Sequence, residues 1–283
     1  MKKTDNMIKK CFRVVWPLIF VVLITILYAI CIGVVIGLIY LSIYLYPEVF
    51  YGNIVAVFLM SFINFYKMGV ILLTISMQFL WIVVFYRWNR RITHSKPETS
   101  TRFLSWKNLG LIMLLAVGNH LLISGAMDLL IPHLGKLGED YIDMMNVFFE
   151  GNVILTFIST IILAPISEEL IFRGVIMKKA RHAFPFAVAN VMQALLFGVL
   201  HGNIIQGSYA FVLGLSLGYV TYKFESILPA ILIHCMLNLL GSYLLYSVPT
   251  FVQILEVILG IGIIVYTVRI LNKMKPYVSM DIN

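Results

Sequence analysis

The sequence predicts an all-α fold: a polytopic bundle of transmembrane helices with about eight spans and both termini cytoplasmic. Three observations carry that expectation. Hydrophobic residues fill 61% of the 283 positions and charged residues only 12%, with a mean hydropathy of +0.95, whereas a soluble globule carries about 25% charged residues. The apolar residues form long continuous runs rather than alternating, which suits helices and not a membrane barrel; lipid offers backbone N–H and C=O groups no partner, so no third spanning structure is open. The lysines and arginines gather on one side of the resulting topology, as they do in cytoplasmic loops.

Taken in order, spans of about 20 apolar residues fall near 16–45, 69–86, 109–131, 152–172, 184–200, 207–222, 227–246 and 251–268. The first block, Val14 to Tyr46, is too long for the apolar core of a secretory signal, and no small-residue cleavage site follows it. It is expected to be a retained span. Residues 52–66 are apolar but contain Asn53, Ser61 and Asn64 between Gly52 and Lys67. A span there would invert everything downstream, so the segment is expected to be interfacial or re-entrant. The stretch Arg87 to Lys107, with Pro97 and several Ser and Thr, reads as a cytoplasmic linker.

With the N-terminus inside, nineteen of the 21 basic residues are cytoplasmic, and only Lys67 and Lys136 lie outside. The net charge of +8 then reflects topology in a lipid bilayer, and no nucleic-acid partner is expected. Cys11, Cys31 and Cys235 are odd in number and lack metal-ligand spacing, which argues against a disulfide framework or a zinc finger. The pairs Gly33 with Gly37 and Gly214 with Gly218 have the spacing of close helix packing and are expected to pack within the monomer.

Polar residues inside these spans are the candidates for chemistry. Glu168 and Glu169 end the run Ile154 to Ile166 and are followed by Leu170, Ile171 and Phe172. One charged residue at a helix centre costs about 3 kcal/mol even on insertion scales, so a partner or a function is required. Glu169 and Arg173 are four apart on one helical face and can pair. Glu168 is turned away from Glu169 by about 100° and left for another task. The next span ends with Phe197 and His201 four apart, and the span after Pro229 carries His234 and Asn238 four apart.

Folding spans four and five as an antiparallel hairpin about Ala183 brings Glu168 and His201 to levels about 5 Å apart. His234, only nine residues beyond Glu225, is expected to be shallower unless the ends of spans four and five project beyond it. A carboxylate in low dielectric is a competent general base near neutral pH. A histidine can orient the same water, and a histidine with an asparagine amide one turn away can donate to an oxyanion. No Gly-x-Ser-x-Gly elbow and no His-Glu-x-x-His run is present, so serine and zincin mechanisms lack support.

The string Glu168-Glu169-Leu170-Ile171-Phe172-Arg173-Gly174 resembles the EExxxR motif of the CAAX prenyl protease and bacteriocin-processing family of intramembrane endopeptidases. Phe197 to His201 resembles its FxxxH motif, and His234 to Asn238 its HxxxN motif. The resemblance covers roughly residues 110–245 and none of the first hundred. It implies an eight-helix membrane endopeptidase in which Glu168 and His201 activate water, His234 and Asn238 stabilise the oxyanion, and Glu169 and Arg173 support the site. The chain would then divide into N-terminal membrane helices and linker (1–108), a catalytic bundle (109–246) and a C-terminal helix and tail (247–283). Its partners would be a peptide or protein substrate at the cell membrane. No cofactor is expected; the metal-dependent alternative, with a divalent ion such as zinc, would use Glu168, His201 and His234.

Competing readings attach to the same residues. The glutamates could serve only as a structural ion pair with Arg173, and the histidines only as interhelical hydrogen-bonding groups. Asn119 and His120, midway along the third span, are expected to be packing groups beside the fourth span. At the level of function, a non-catalytic peptide-binding or bacteriocin-immunity protein and an ion-coupled transporter stand as alternatives. Pro165 is expected to kink the fourth span and free carbonyls near the site.

Overall fold

The computed structural model describes residues 7–45, 53–92, 101–149, 152–243 and 248–273. Among them every regular element is helical. The order is α1 (Met7–Leu45), α2 (Asn53–Ile92), α3 (Trp106–Leu130), α4 (Lys136–Phe149), α5 (Val153–Arg181), α6 (Phe186–Leu200), α7 (Ile204–Phe224), α8 (Leu228–Tyr243) and α9 (Thr250–Lys273). Six helices are long and apolar enough to cross a membrane, and α6 and α8 are shorter apolar helices. The protein is a multi-pass helical membrane protein. Its outward surfaces, such as Leu23, Ile26, Leu27 and Ile30 of α1 and Ile254, Ile258 and Ile261 of α9, are exposed apolar side chains, as lipid-facing positions require.

Several boundaries depart from expectation. Residues 53–66 are not re-entrant: they continue unbroken into α2, and a chain returning to its own side would need a break there. Gly52 lies outside the described residues. The linker shortens, because α2 runs on to Ile92 and a 3-10 turn over Thr101–Leu104 leads into α3. The connection after the third span holds α4, which puts Glu139 in its first turn, where the helix dipole favours an acidic residue. Gly33 and Gly37 approach nothing: a Cβ at either would meet no atom within 4 Å, whereas one at Gly214 would lie 2.9 Å from the Ala194 Cβ.

Local chemistry accounts for the helix starts. Ser105 and Asn152 cap α3 and α5 by accepting from Asn108 N and Leu155 N at 3.3 and 3.0 Å. Asn203 caps α7 by accepting from Ile205 N and Gln206 N at 2.9 and 3.1 Å. Each satisfies donors that a helix start leaves open.

Helix α5 is the hub, in contact with α1, α2, α6, α7 and α8. One apolar cluster joins Val14, Leu18 and Val21 of α1 and Met77, Trp81 and Phe85 of α2 to Leu170, Ile171, Phe172, Val175 and Ile176 of α5. A second joins Leu111, Ile112 and Leu115 of α3 to Leu213, Leu217 and Val220 of α7 and Ile233 and Leu237 of α8. The third span is therefore not chiefly a neighbour of the fourth. Helix α3 packs most closely on α9, where a Cβ on Gly260 would lie 2.8 Å from Gly118 O and 2.5 Å from Leu122 N. Asn119 bonds within the bundle, Nδ2 donating to Leu115 O at 2.7 Å and Oδ1 accepting from Ser216 Oγ at 2.9 Å, a packing role.

Candidate active site

The site is built on α5, whose hydrogen-bond ladder twice widens into π turns, over Ile158–Leu163 and Leu170–Ile176. Such insertions recur at functional sites because they re-aim side chains within a helix. In the first, Ala164 N–H bonds to Ser159 O five residues back, so the next donor in the pattern would be residue 165, reaching Thr160 O. That residue is Pro165 and has no N–H. The carbonyl it leaves is taken by Asn238 of α8, whose Nδ2 donates to Thr160 O at 2.8 Å. The expected freeing of a carbonyl by Pro165 thus has a specific recipient in the same motif set.

Glu169 and Arg173, both with fully buried side chains, pair at 2.8 Å between Oε1 and Nη1. A buried ion pair is costly unless further contacts offset its desolvation, and here Glu169 Oε2 and Arg173 Nε have no hydrogen-bond partner among the described residues. Arg173 Nη2 donates to Gly214 O at 3.1 Å, and its guanidinium carbon lies 4.7 Å from the Phe197 ring centre. Gly214 O also accepts from Gln193 Nε2 at 2.8 Å, which ties α5, α6 and α7 at one carbonyl. Gln193 and Asn190, linked to each other at 2.8 Å and to Leu215 O at 3.1 Å, carry no motif, so sequence reasoning passed over them. A Cβ on Gly218 would collide with Asn190 and Gln193.

His234 of α8 completes the centre. Its Nδ1 lies 2.9 Å from Glu169 Oε1, and its Nε2 lies 3.7 Å from Glu168 Oε2. A carboxylate partner requires Nδ1 to be the donor, so Glu169 sets the tautomer and turns Nε2 toward Glu168. The Glu168 side chain is 22% exposed while that of His234 is 5%, which makes Glu168 the accessible carboxylate and Glu169 the enclosed one. The expected depth mismatch is absent. His234 is six residues from the start of α8 and Glu169 twelve from the end of α5, yet they touch, so α5 projects beyond α8 by about 9 Å at 1.5 Å per residue.

His201, at the end of α6, is also held by Nδ1, 2.9 Å from Phe197 O, a carbonyl that again demands a donor and leaves Nε2 as the acceptor. Both imidazoles stand edge-on to the Phe197 ring, His201 at 4.9 Å and His234 at 5.7 Å between centres. Phe197, the first residue of its motif, is thus the wall between them. Tyr209 of α7, within electrostatic reach of Glu168, lies 3.4 Å from Tyr141 of α4 between hydroxyl oxygens. These tyrosines were not anticipated, since one sits on a helix the sequence did not reveal.

Among the described residues, no three His, Cys, Asp or Glu side chains are gathered so as to hold a metal ion. Glu168, His201 and His234 are not such a group in this geometry.

Fold and site together define a helical membrane protein with a buried glutamate–arginine–histidine centre shared by four helices and one accessible carboxylate at its edge. Residues 150–240, the stretch from α5 to α8 that carries all three motifs, match the family model described as type II CAAX prenyl endopeptidase Rce1-like. That match covers less than half of the chain and agrees with the family resemblance that the motifs carry. The chain is also similar to an uncharacterized 24.3 kDa protein of Escherichia coli, 28% identical over 95 residues. The aligned part is 32% of this chain and 44% of that protein, so the chain spans less than half the length of this curated relative. No solved structure matches.

Proposed function

We propose that the protein is an intramembrane endopeptidase that hydrolyses a peptide bond of a membrane-associated protein or peptide with a water activated at Glu168. The observation that carries this reading is His234 standing between two adjacent carboxylates, 2.9 Å from Glu169 and 3.7 Å from Glu168. The carboxylates differ in what they do. Glu169 compensates Arg173 and orients the imidazole, while Glu168 is the one that water and substrate can reach.

In this reading Glu168 accepts a proton from water as the water oxygen adds to the scissile carbonyl carbon. His201, presenting Nε2, orients the same water. The oxyanion of the tetrahedral adduct is stabilised by the second amide hydrogen of Asn238 and by His234, which for this carries a proton on Nε2 as well as the one Nδ1 donates to Glu169. Collapse of the adduct breaks the C–N bond, and the amine leaves with the proton that Glu168 took. The family match from α5 to α8 supports hydrolysis over transport.

The test is Glu168→Gln. Cleavage should fall by about 10²–10⁴ while insertion and thermal stability stay unchanged, read by comparing the membrane proteomes of cells carrying either form. Undiminished cleavage would remove Glu168 as the base. A cellular phenotype indifferent to both Glu168→Gln and His201→Ala would turn the reading to a peptide-binding or immunity protein.

A further inference from the structure

Away from the site, the basic ends of three helices meet at one end of the bundle. Arg87 and Arg91 of α2, with Val84, Trp88 and Ile92, line a cleft of about 370 Å³. Trp88 is fixed as its floor by the Phe85 ring stacked at 5.4 Å, the Phe20 ring of α1 edge-on at 6.3 Å, and Lys179 Nζ of α5 at 4.5 Å from its centre. Lys179 in turn lies within electrostatic reach of Arg13 of α1. Arg87 and Arg91 lie four apart on one face of α2, and the packing of α1 and α5 on α2 adds Arg13 and Lys179 behind Trp88. Among the described residues Arg87 and Arg91 have no carboxylate partner.

A bias of basic residues toward one side of a membrane needs only scattered charges on connections. Here two arginines flank a concave, aromatic-floored surface on α2 itself, with Lys179 against the Trp88 ring, at the end of the apolar segment Val70–Ile92, the level of lipid headgroups. The face continues down α2 as apolar surface: Val83 and Leu80, 48% and 45% exposed, lie one and two turns below Arg87. A ligand fitting both parts carries an anionic, many-oxygened head and a hydrocarbon tail.

We propose that this cleft binds the headgroup of an anionic glycerophospholipid, with Arg87 and Arg91 on the phosphodiester, Trp88 at the glycerol level and the acyl chains along Leu80 and Val83. Basic residues at the membrane surface provide the charge neutralisation such headgroups need, and guanidinium groups match phosphate geometry better than an ammonium does.

The test uses the full-length chain in phosphatidylcholine nanodiscs with increasing phosphatidylglycerol. Brominated acyl chains serve as fluorescence quenchers, and Trp88→Phe identifies the Trp88 signal among the four tryptophans. Brominated phosphatidylglycerol should quench Trp88 at lower mole fraction than brominated phosphatidylcholine. Arg87→Gln with Arg91→Gln should reduce that preference by about fivefold per arginine, roughly 30-fold for the pair. Both side chains are exposed, so the variant should fold; Arg91→Gln alone gives a milder second reading, and Arg→Lys at both positions should retain part of the preference. Equal quenching by the two lipids, or an undiminished preference in the double variant, would overturn the proposal. So would full competition by inorganic phosphate, which would mark a soluble-anion site. The readout is lipid contact, so the outcome is independent of whether the chain cleaves peptides.

Discussion

His234 and Glu169 are joined across 65 residues of chain by a 2.9 Å contact from Nδ1 to Oε1. The same oxygen accepts from Arg173 Nη1 at 2.8 Å. One buried atom therefore neutralises a guanidinium and aims an imidazole, and the stability of the bundle and the alignment of its candidate site share a single group.

Removing Glu169 should unfold the bundle before it reveals anything about catalysis. Glu169→Ala leaves Arg173, whose side chain is fully buried, without its counter-charge, at a cost of about 3–5 kcal/mol. Thermal unfolding in detergent should show the loss. Replacing both residues, Glu169→Leu with Arg173→Met, should recover most of the stability because no lone charge remains. Cleavage should not return, since His234 loses the group that orients it; recovered cleavage would deny Glu169 that orienting role.

Asn238 should show thermodynamic coupling with Pro165. Asn238→Ala leaves the part-buried Thr160 carbonyl without this donor, which costs about 1 kcal/mol. Pro165→Ala supplies an N–H where the π turn lacks one, so in the Asn238→Ala background it should return part of that stability. A double-mutant cycle on unfolding temperatures measures the coupling, and strict additivity would mean that the two residues do not share this carbonyl.

The α6–α7 interface should tolerate no added methyl beside the site. A Cβ on Gly198 would lie 2.6 Å from Gly207 O, and His201 follows three residues later. Gly198→Ala should cost about 1–3 kcal/mol by overpacking and lower cleavage in proportion to the displacement of His201. Gly37→Ala, facing open space, should change stability by less than about 0.5 kcal/mol. Equal effects at the two positions, measured by unfolding and by cleavage, would show that the helices do not approach closely there.

Gly260 separates stability from chemistry. It lets α9 approach α3, away from α5, and a Cβ there would meet the backbone of Gly118 and Leu122 at 2.8 and 2.5 Å. Gly260→Ala should lower the unfolding temperature while leaving the turnover of the folded fraction unchanged. A fall in turnover at full folding would indicate that the α3–α9 pair communicates with the site.

What the sequence by itself determined is what short-range periodicity and lipid solvation control. Continuous apolar runs settled the all-α class and the approximate place of the apolar helices, and a four-residue separation on one helix was enough to pair Glu169 with Arg173. Three short motifs, each local, marked the helices α5, α6 and α8 that meet at the centre. Helix α4 escaped because it is amphipathic and shorter than a span, and the continuity of residues 53–66 with α2 escaped because scattered Asn and Ser do not break a helix. The tertiary structure decided the rest. Which carboxylate His234 grips, which carbonyl Asn238 serves, that Gln193 and Arg173 meet at Gly214, and that α3 lies on α8 and α9 all depend on how far each helix slides and rotates against its neighbours. Those offsets are set by glycine contacts, π turns and projecting helix ends acting between distant segments, and no local pattern in the chain records the sum of their displacements.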